Sequence, residues 1–224
     1  MSELVLASEP TEAGAVTLTL NRPDKRNALS TKLRDAFSDW LERLADDERV
    51  KVVVVTGAGE VFSAGFDLKE FAVEDPAFQE RLWASSHRFH KVALEFPLPL
   101  IAAVNGPALA GGFDLAVMCD IRVASTTARF AHPEQSFSDV VYGPLHDLVG
   151  AAVARDLCFT GRSIEAEEAL RLHLVSAVVP PAEVVGEAER MAELVCQAPR
   201  DVLMRTKAKA IRRAAAVVGA TLDL

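Results

Sequence analysis

The sequence predicts an α/β fold of repeated βαβ turns with a helical C-terminal part, and three observations carry that prediction. Apolar runs of strand length, among them "AVTLTL", "VKVVVV" and "LIAAV", are separated by stretches whose apolar residues recur at helical spacing. The second and third runs lack alternation, as expected of strands covered on both faces by crossover helices. After Leu145, helical candidates dominate.

In "AVTLTLNRP", Val16, Leu18 and Leu20 alternate with threonines until Pro23 ends the strand. Ser30, closing "DKRNALS", is an N-cap candidate. Leu33, Phe37, Trp40, Leu41 and Leu44 follow at the spacing of one amphipathic helix. A helix over about 77–94 precedes the strand of "PLIAAVNG", a glycine-led helix begins near Gly111, and "DIRVAS" is the next strand. Further helices are expected over 145–157, 163–172, 181–196 and 199–218, with "LVSAVVP" as a short strand. No low-complexity linker divides the chain. One domain over 1–224 is therefore expected, with a core to about 160 and a helical part over about 161–224.

Composition narrows the function classes. A net charge of −8 gives no electrostatic footprint for nucleic acid, and no apolar run approaches the roughly 20 residues of a membrane span. The start "MSELVLASEPTEAG" lacks the basic and apolar regions of a secretory signal, so a cytoplasmic protein is expected. Cys119, Cys158 and Cys196 are odd in number, far apart and set among apolar residues, and read as reduced core residues rather than disulfide or metal partners.

Two motifs fail on inspection. "VVVVTGAGE" begins like a dinucleotide-binding turn, but the third glycine of that fingerprint is missing as the chain runs on into "EVFSAGFD". Ser63 lacks the G-x-S-x-G setting of a nucleophile and reads as a turn residue. Two other glycine-bearing stretches, "FSAGFDLKE" and "NGPALAGGFDL", sit near the ends of buried strands. Glycine there lets the backbone approach a ligand, and the second stretch opens a helix whose positive end favours a developing anion.

"LNRPDKRNAL", "VTGAGEVFSAGFDLKE", "PLIAAVNGPALAGGFDLAVMCDIRVAS" and "ARFAHPE" follow one another in the order and spacing of the enoyl-CoA hydratase/isomerase (crotonase) family, which the chain resembles over about 16–215. The resemblance implies a crotonase-like spiral of βαβ turns, two roughly perpendicular sheets, a helical C-terminal region and homotrimers or hexamers. It also implies an acyl-CoA substrate, with no separate cofactor and no metal. By motif position, the N–H groups of Phe66 and Gly111 would form the oxyanion hole. Glu134 would be the main acid/base residue, and Asp114 the partner that positions water. CoA contacts would come from Lys25 and Arg26 to the phosphates, from the Ala28 backbone near the adenine end, and from the backbone around Ala64, Asp67 and Leu68.

The reaction implied is hydration of a 2-enoyl-CoA. The alternatives are Δ3,Δ2-enoyl-CoA isomerisation by Glu134 alone and a catalytically weak acyl-CoA binder. Asp114 is one methylene shorter than the glutamate typical of hydratases, a retraction of about 1.5 Å. The segment after "HPE" reads "QSFSDVVYGPLHDLVG" instead of a glycine-rich turn. It brings Asp139, Tyr142, His146 and Asp147 near the expected pocket rim, where structural roles are the simpler expectation. His132 is placed to tune Glu134, whereas His87, His90 and His173 read as packing or surface residues. Family members usually continue past a segment like "RTKAKAIRRAAAVVGATLDL" with helices that cover the acyl site; this sequence ends at Leu224.

Overall fold

The structure, a computed structural model, describes residues 3–214. Along the chain the first elements are β1 (Val5–Ala7), β2 (Ala15–Leu20), α1 (Thr31–Asp46), β3 (Val52–Gly57), α2 (Leu68–Phe71), α3 (Pro76–Glu95) and β4 (Leu100–Val104). There follow β5 (Ala108–Leu109), α4 (Gly111–Met118), β6 (Ile121–Ser125), β7 (Arg129–Ala131), α5 (Gly143–Thr160), β8 (Ile164–Glu165) and α6 (Ala166–Arg171). The described part closes with β9 (Ala177–Val179), α7 (Val184–Cys196) and α8 (Arg200–Ala214). A six-stranded sheet runs β1-β2-β3-β4-β6-β9, parallel throughout except for the antiparallel β1–β2 edge.

Side chains on one strand alternate between faces, and the sheet divides two cores accordingly. Val53 and Val55 of β3 join Leu33, Phe37 and Leu41 of α1 and Phe89 of α3. Their neighbours Val52 and Val54 face the other way, onto Val184, Ala188, Ala192 and Cys196 of α7. Those four residues are spaced four apart and form one helix stripe. The apolar run in β3 is thus explained: neither face meets water. Ser30 caps α1 as predicted, its hydroxyl accepting from the Leu33 N–H at 3.3 Å. The Phe37–Phe89 ring pair, with centroids 5.5 Å apart, ties α1 to α3.

Most expected elements appear, with three differences. The stretch 163–172 begins as strand β8, because Ile164 pairs with Phe130 of β7, and becomes helical only from Ala166. α5 is broken at Gly150, whose φ of 77° lies outside the helical region. The helix expected over 199–218 is present over Arg200–Ala214, and 215–218 lie outside the described residues. The three cysteines are free and buried. No helix among the described residues is long and apolar enough to cross a membrane.

A second sheet of three strands, β5-β7-β8, positions the site. Its central pair is parallel with Ala108 opposite Phe130 and Leu109 opposite Ala131, so both strands end at one level. One chain then enters Gly111 and α4. The other enters His132 and a short 3-10 turn over Pro133–Ser136. An isolated parallel bridge from Ser63 to Ala108 lays the first glycine stretch beside β5.

Candidate active site

Gly65 brings the two glycine stretches into contact. Its φ is +85°, and a Cβ there would meet the Ala110 Cβ at 2.6 Å and the Gly111 nitrogen at 3.1 Å, so only glycine fits. Hydrogen bonds on both sides hold the stretch. The Leu29 N–H donates to the Gly65 carbonyl (2.8 Å), the Leu109 N–H to the Ser63 carbonyl (2.9 Å), and the Gly65 N–H to the Ser63 hydroxyl (3.2 Å). Ser63 is therefore a buried turn residue. Ala110 has an unusual φ of +50° for a residue with a side chain, and its N–H donates to the Ala131 carbonyl. This strained entry turns the chain into α4 and leaves Gly111 as its first residue. The N–H groups of Phe66 and Gly111 donate to no protein acceptor among the described residues. Both residues line one cavity of about 450 Å³.

Asp114 projects from the first turn of α4, and Glu134 from the 3-10 turn after β7. His132, fully buried, lies between them. Its Nδ1 is 3.0 Å from Glu134 Oε1 and 3.6 Å from Asp114 Oδ1. One donor atom from each of the three falls within 4.8 Å of the others. That nitrogen is engaged with Glu134, so the three side chains form a hydrogen-bonded acid–imidazole cluster. Burial pushes the Asp114 carboxyl up to about 7, a rise that His132 opposes and the Glu134 charge reinforces. Asp114 Oδ1, Glu134 Oε2 and His132 Nε2 are buried with no hydrogen-bond partner. Orphaned acceptors beside a cavity are what a water or a substrate would satisfy.

The cavity brings together Ala64, Phe66, Leu68, Gly111, Asp114 and Glu134. Phe71, Trp83, Val140 and Val141 add apolar walls. Asp67 is directed elsewhere: its carboxylate accepts from Arg22 (3.1 Å) and caps α2 through the Lys69 N–H. Lys25 and Arg26 are exposed beside this region, and the Arg26 carbonyl accepts from the Ala64 N–H. Lys25 approaches Asp24 at 3.9 Å, and the Ala28 carbonyl accepts from Arg22 at 2.7 Å. Asp139 reaches the cavity rim, whereas Tyr142 lines an adjoining hollow with Arg155 and Cys158. His146 and Asp147 pair with each other at the surface.

Three features were not legible beforehand. His90, 1 % exposed, lines the cavity without a hydrogen-bond partner for either ring nitrogen, and burial holds it down at about 4 and hence neutral. Asn27 and Asn105 staple the "TGAGEV" loop: Asn27 donates to the Ala58 and Val61 carbonyls, and Asn105 to that of Gly59. Those contacts span 31, 34 and 46 residues, and local sequence carries no signal for them.

The family model described as enoyl-CoA hydratase/isomerase matches residues 10–221. A short-chain-enoyl-CoA hydratase of Clostridium acetobutylicum is 36 % identical over 208 residues, covering 90 % of this chain and 79 % of its own. The 2,3-dehydroadipyl-CoA hydratase of Escherichia coli is 35 % identical, covering 95 % and 86 %. Among solved structures, an enoyl-CoA hydratase from Bacillus anthracis superposes with a TM-score of 0.85 at 31 % identity, over 92 % of this chain and 81 % of that one. With a matching family model over nearly the whole chain, and relatives and fold in agreement, this protein is an enzyme of the enoyl-CoA hydratase/isomerase (crotonase) family.

Proposed function

We propose that the chain adds water across the double bond of 2-enoyl-CoA thioesters. The observation that supports this best is one cavity lined both by Phe66 and Gly111, whose N–H groups are unpaired, and by the two acids Asp114 and Glu134. The thioester oxygen accepts from Phe66 and Gly111. As water attacks Cβ, negative charge moves onto that oxygen, and donors beside the N-terminus of α4 stabilise it most at that moment. Carboxylate oxygens less than 4.8 Å apart are spanned by one water with two hydrogen bonds of about 2.8 Å. Glu134 takes the water's proton as the C–O bond forms and delivers a proton to Cα of the enolate. Asp114 holds the water in line.

The test is loss of the conjugated-thioester absorbance across 2-enoyl-CoAs from short to long chain, with Glu134→Gln as control. Turnover that falls about 10²- to 10⁴-fold in the variant is expected, the range for removing a general acid–base group. Binding of the same thioesters without turnover by the unaltered protein would sink the hydratase reading. Δ3-enoyl-CoA substrates would then separate the isomerase from the binding-only alternative.

A further inference from the structure

We infer that His132 is a positioning residue for the two carboxylates: a buried imidazole that carries a proton, ion-pairs with Glu134 and leaves Asp114 as the neutral, water-holding acid. This rests on the hydration reading above. Among the described residues, neither Asp114 nor Glu134 has an ion pair with lysine or arginine, and His132 is the one cationic partner of both. Two carboxylates and an imidazole buried together are least unfavourable when their net charge is zero. One proton on the histidine and one on an aspartic acid meet that condition.

Geometry decides which acid keeps its proton. The contact to Glu134 is 3.0 Å and that to Asp114 is 3.6 Å, so the imidazolium stabilises a charge on Glu134 more than on Asp114. The ring packs against Phe113, with centroids 4.7 Å apart and planes tilted by 32°, and its Nδ1 lies within reach of both acids. Burial works against a charge on His132, but the Glu134 hydrogen bond and the charges of Asp114 and Glu134 outweigh it and leave its pKa raised. The other titratable neighbour is Cys158 of α5. Burial and the same two carboxylates push its thiol up to about 11, so it adds no charge at neutral pH. A shared proton of this kind gives two similar carboxylates different tasks, one as base and one as donor to the water.

Two measurements test this. In the unliganded protein, nitrogen-detected NMR titration should show His132 protonated well above the ordinary value of about 6.5. The second is the pH profile of kcat/KM for His132→Asn, which keeps a donor near the Nδ1 position but cannot be charged. Its acid limb should move up by about one pH unit or more, a change of about tenfold in proton affinity, and kcat at neutral pH should fall at least about tenfold with KM within about twofold. Asp114→Asn, which replaces an acid already neutral on the acid limb, should leave that limb in place. A histidine that titrates below about 6.5, or a His132→Asn profile that overlays the original, overturns the proposal. If no 2-enoyl-CoA is turned over by the unaltered protein, the hydration reading fails, and the histidine titration still decides the state of His132.

Discussion

The two sheets of this enzyme are built on opposite principles. The centre of the six-stranded sheet is made of apolar runs such as Val52–Val55 and Leu100–Val104, buried on both faces, and these strands would be recognised in almost any context. The three-stranded sheet has strands of two or three residues, β5, β7 and β8, too short to show a period. Yet the small sheet does the positioning, since the register Leu109–Ala131 brings Gly111 and Asp114 from one strand end, and Glu134 from the other, to the same cavity. Stability and site geometry are therefore separable, and substitutions in the two sheets should be felt in different measurements.

The sharpest test of that separation is Gly65→Ala. A methyl group 2.6 Å from Ala110 and 3.1 Å from the Gly111 nitrogen must displace one glycine stretch from the other. Turnover of 2-enoyl-CoA should fall by about 10²- to 10³-fold, the scale for losing one oxyanion donor, while the six-stranded sheet keeps its far-ultraviolet dichroism. Unaltered kcat would break the comparison.

Ile101→Ala is the converse. Ile101 of β4 is fully buried facing α7, and truncation should cost about 2–5 kcal/mol in denaturant unfolding. Below the unfolding transition kcat should stay within about twofold. A large loss of kcat in the folded variant would mean that the two sheets are coupled.

Asp114→Asn sharpens the comparison through pH. The Asp114 carboxyl, raised by burial to about 7, binds its proton more tightly folded than unfolded. Its contribution is thus favourable at low pH and is lost as pH rises from about 4 through about 7. Asparagine does not titrate, so the Tm of the variant relative to the original should rise between about pH 5 and about pH 8. A Tm difference that does not change with pH would show that Asp114 is not a buried acid of this kind.

The smallest effect is expected from Ser30→Ala, which removes the cap of α1 on the large-sheet side. A loss of about 1 kcal/mol with unchanged turnover is the expected outcome. Loss of activity at constant stability would contradict it.

How much was legible follows from the range of the interactions. Val16–Leu20, the α1 stripe and β3 announce themselves because hydrophobic burial acts through local periodicity. Phe66, Gly111, Asp114 and Glu134 were found by motif order alone, and they do line one cavity. The Asp67 side chain has a tertiary partner that its motif does not indicate: Arg22, 45 residues away, donates to its carboxylate. The asparagine staples of the 57–62 loop leave no trace in their own neighbourhoods, since the carbonyls to which Asn27 and Asn105 donate lie 31 to 46 residues away.

By itself, then, the sequence determined which segments become the buried parallel strands and their crossover helices, and which four short motifs mark the family. Both are written in residue type and spacing over a few turns of chain. Only the tertiary structure decided that Asp114 and Glu134 share one imidazole and that one of them is held up near neutral pH. The distance between two side chains 20 residues apart, and the water excluded around them, depend on the pairing of β5 with β7 and the packing of Phe113 on His132, which no local pattern encodes.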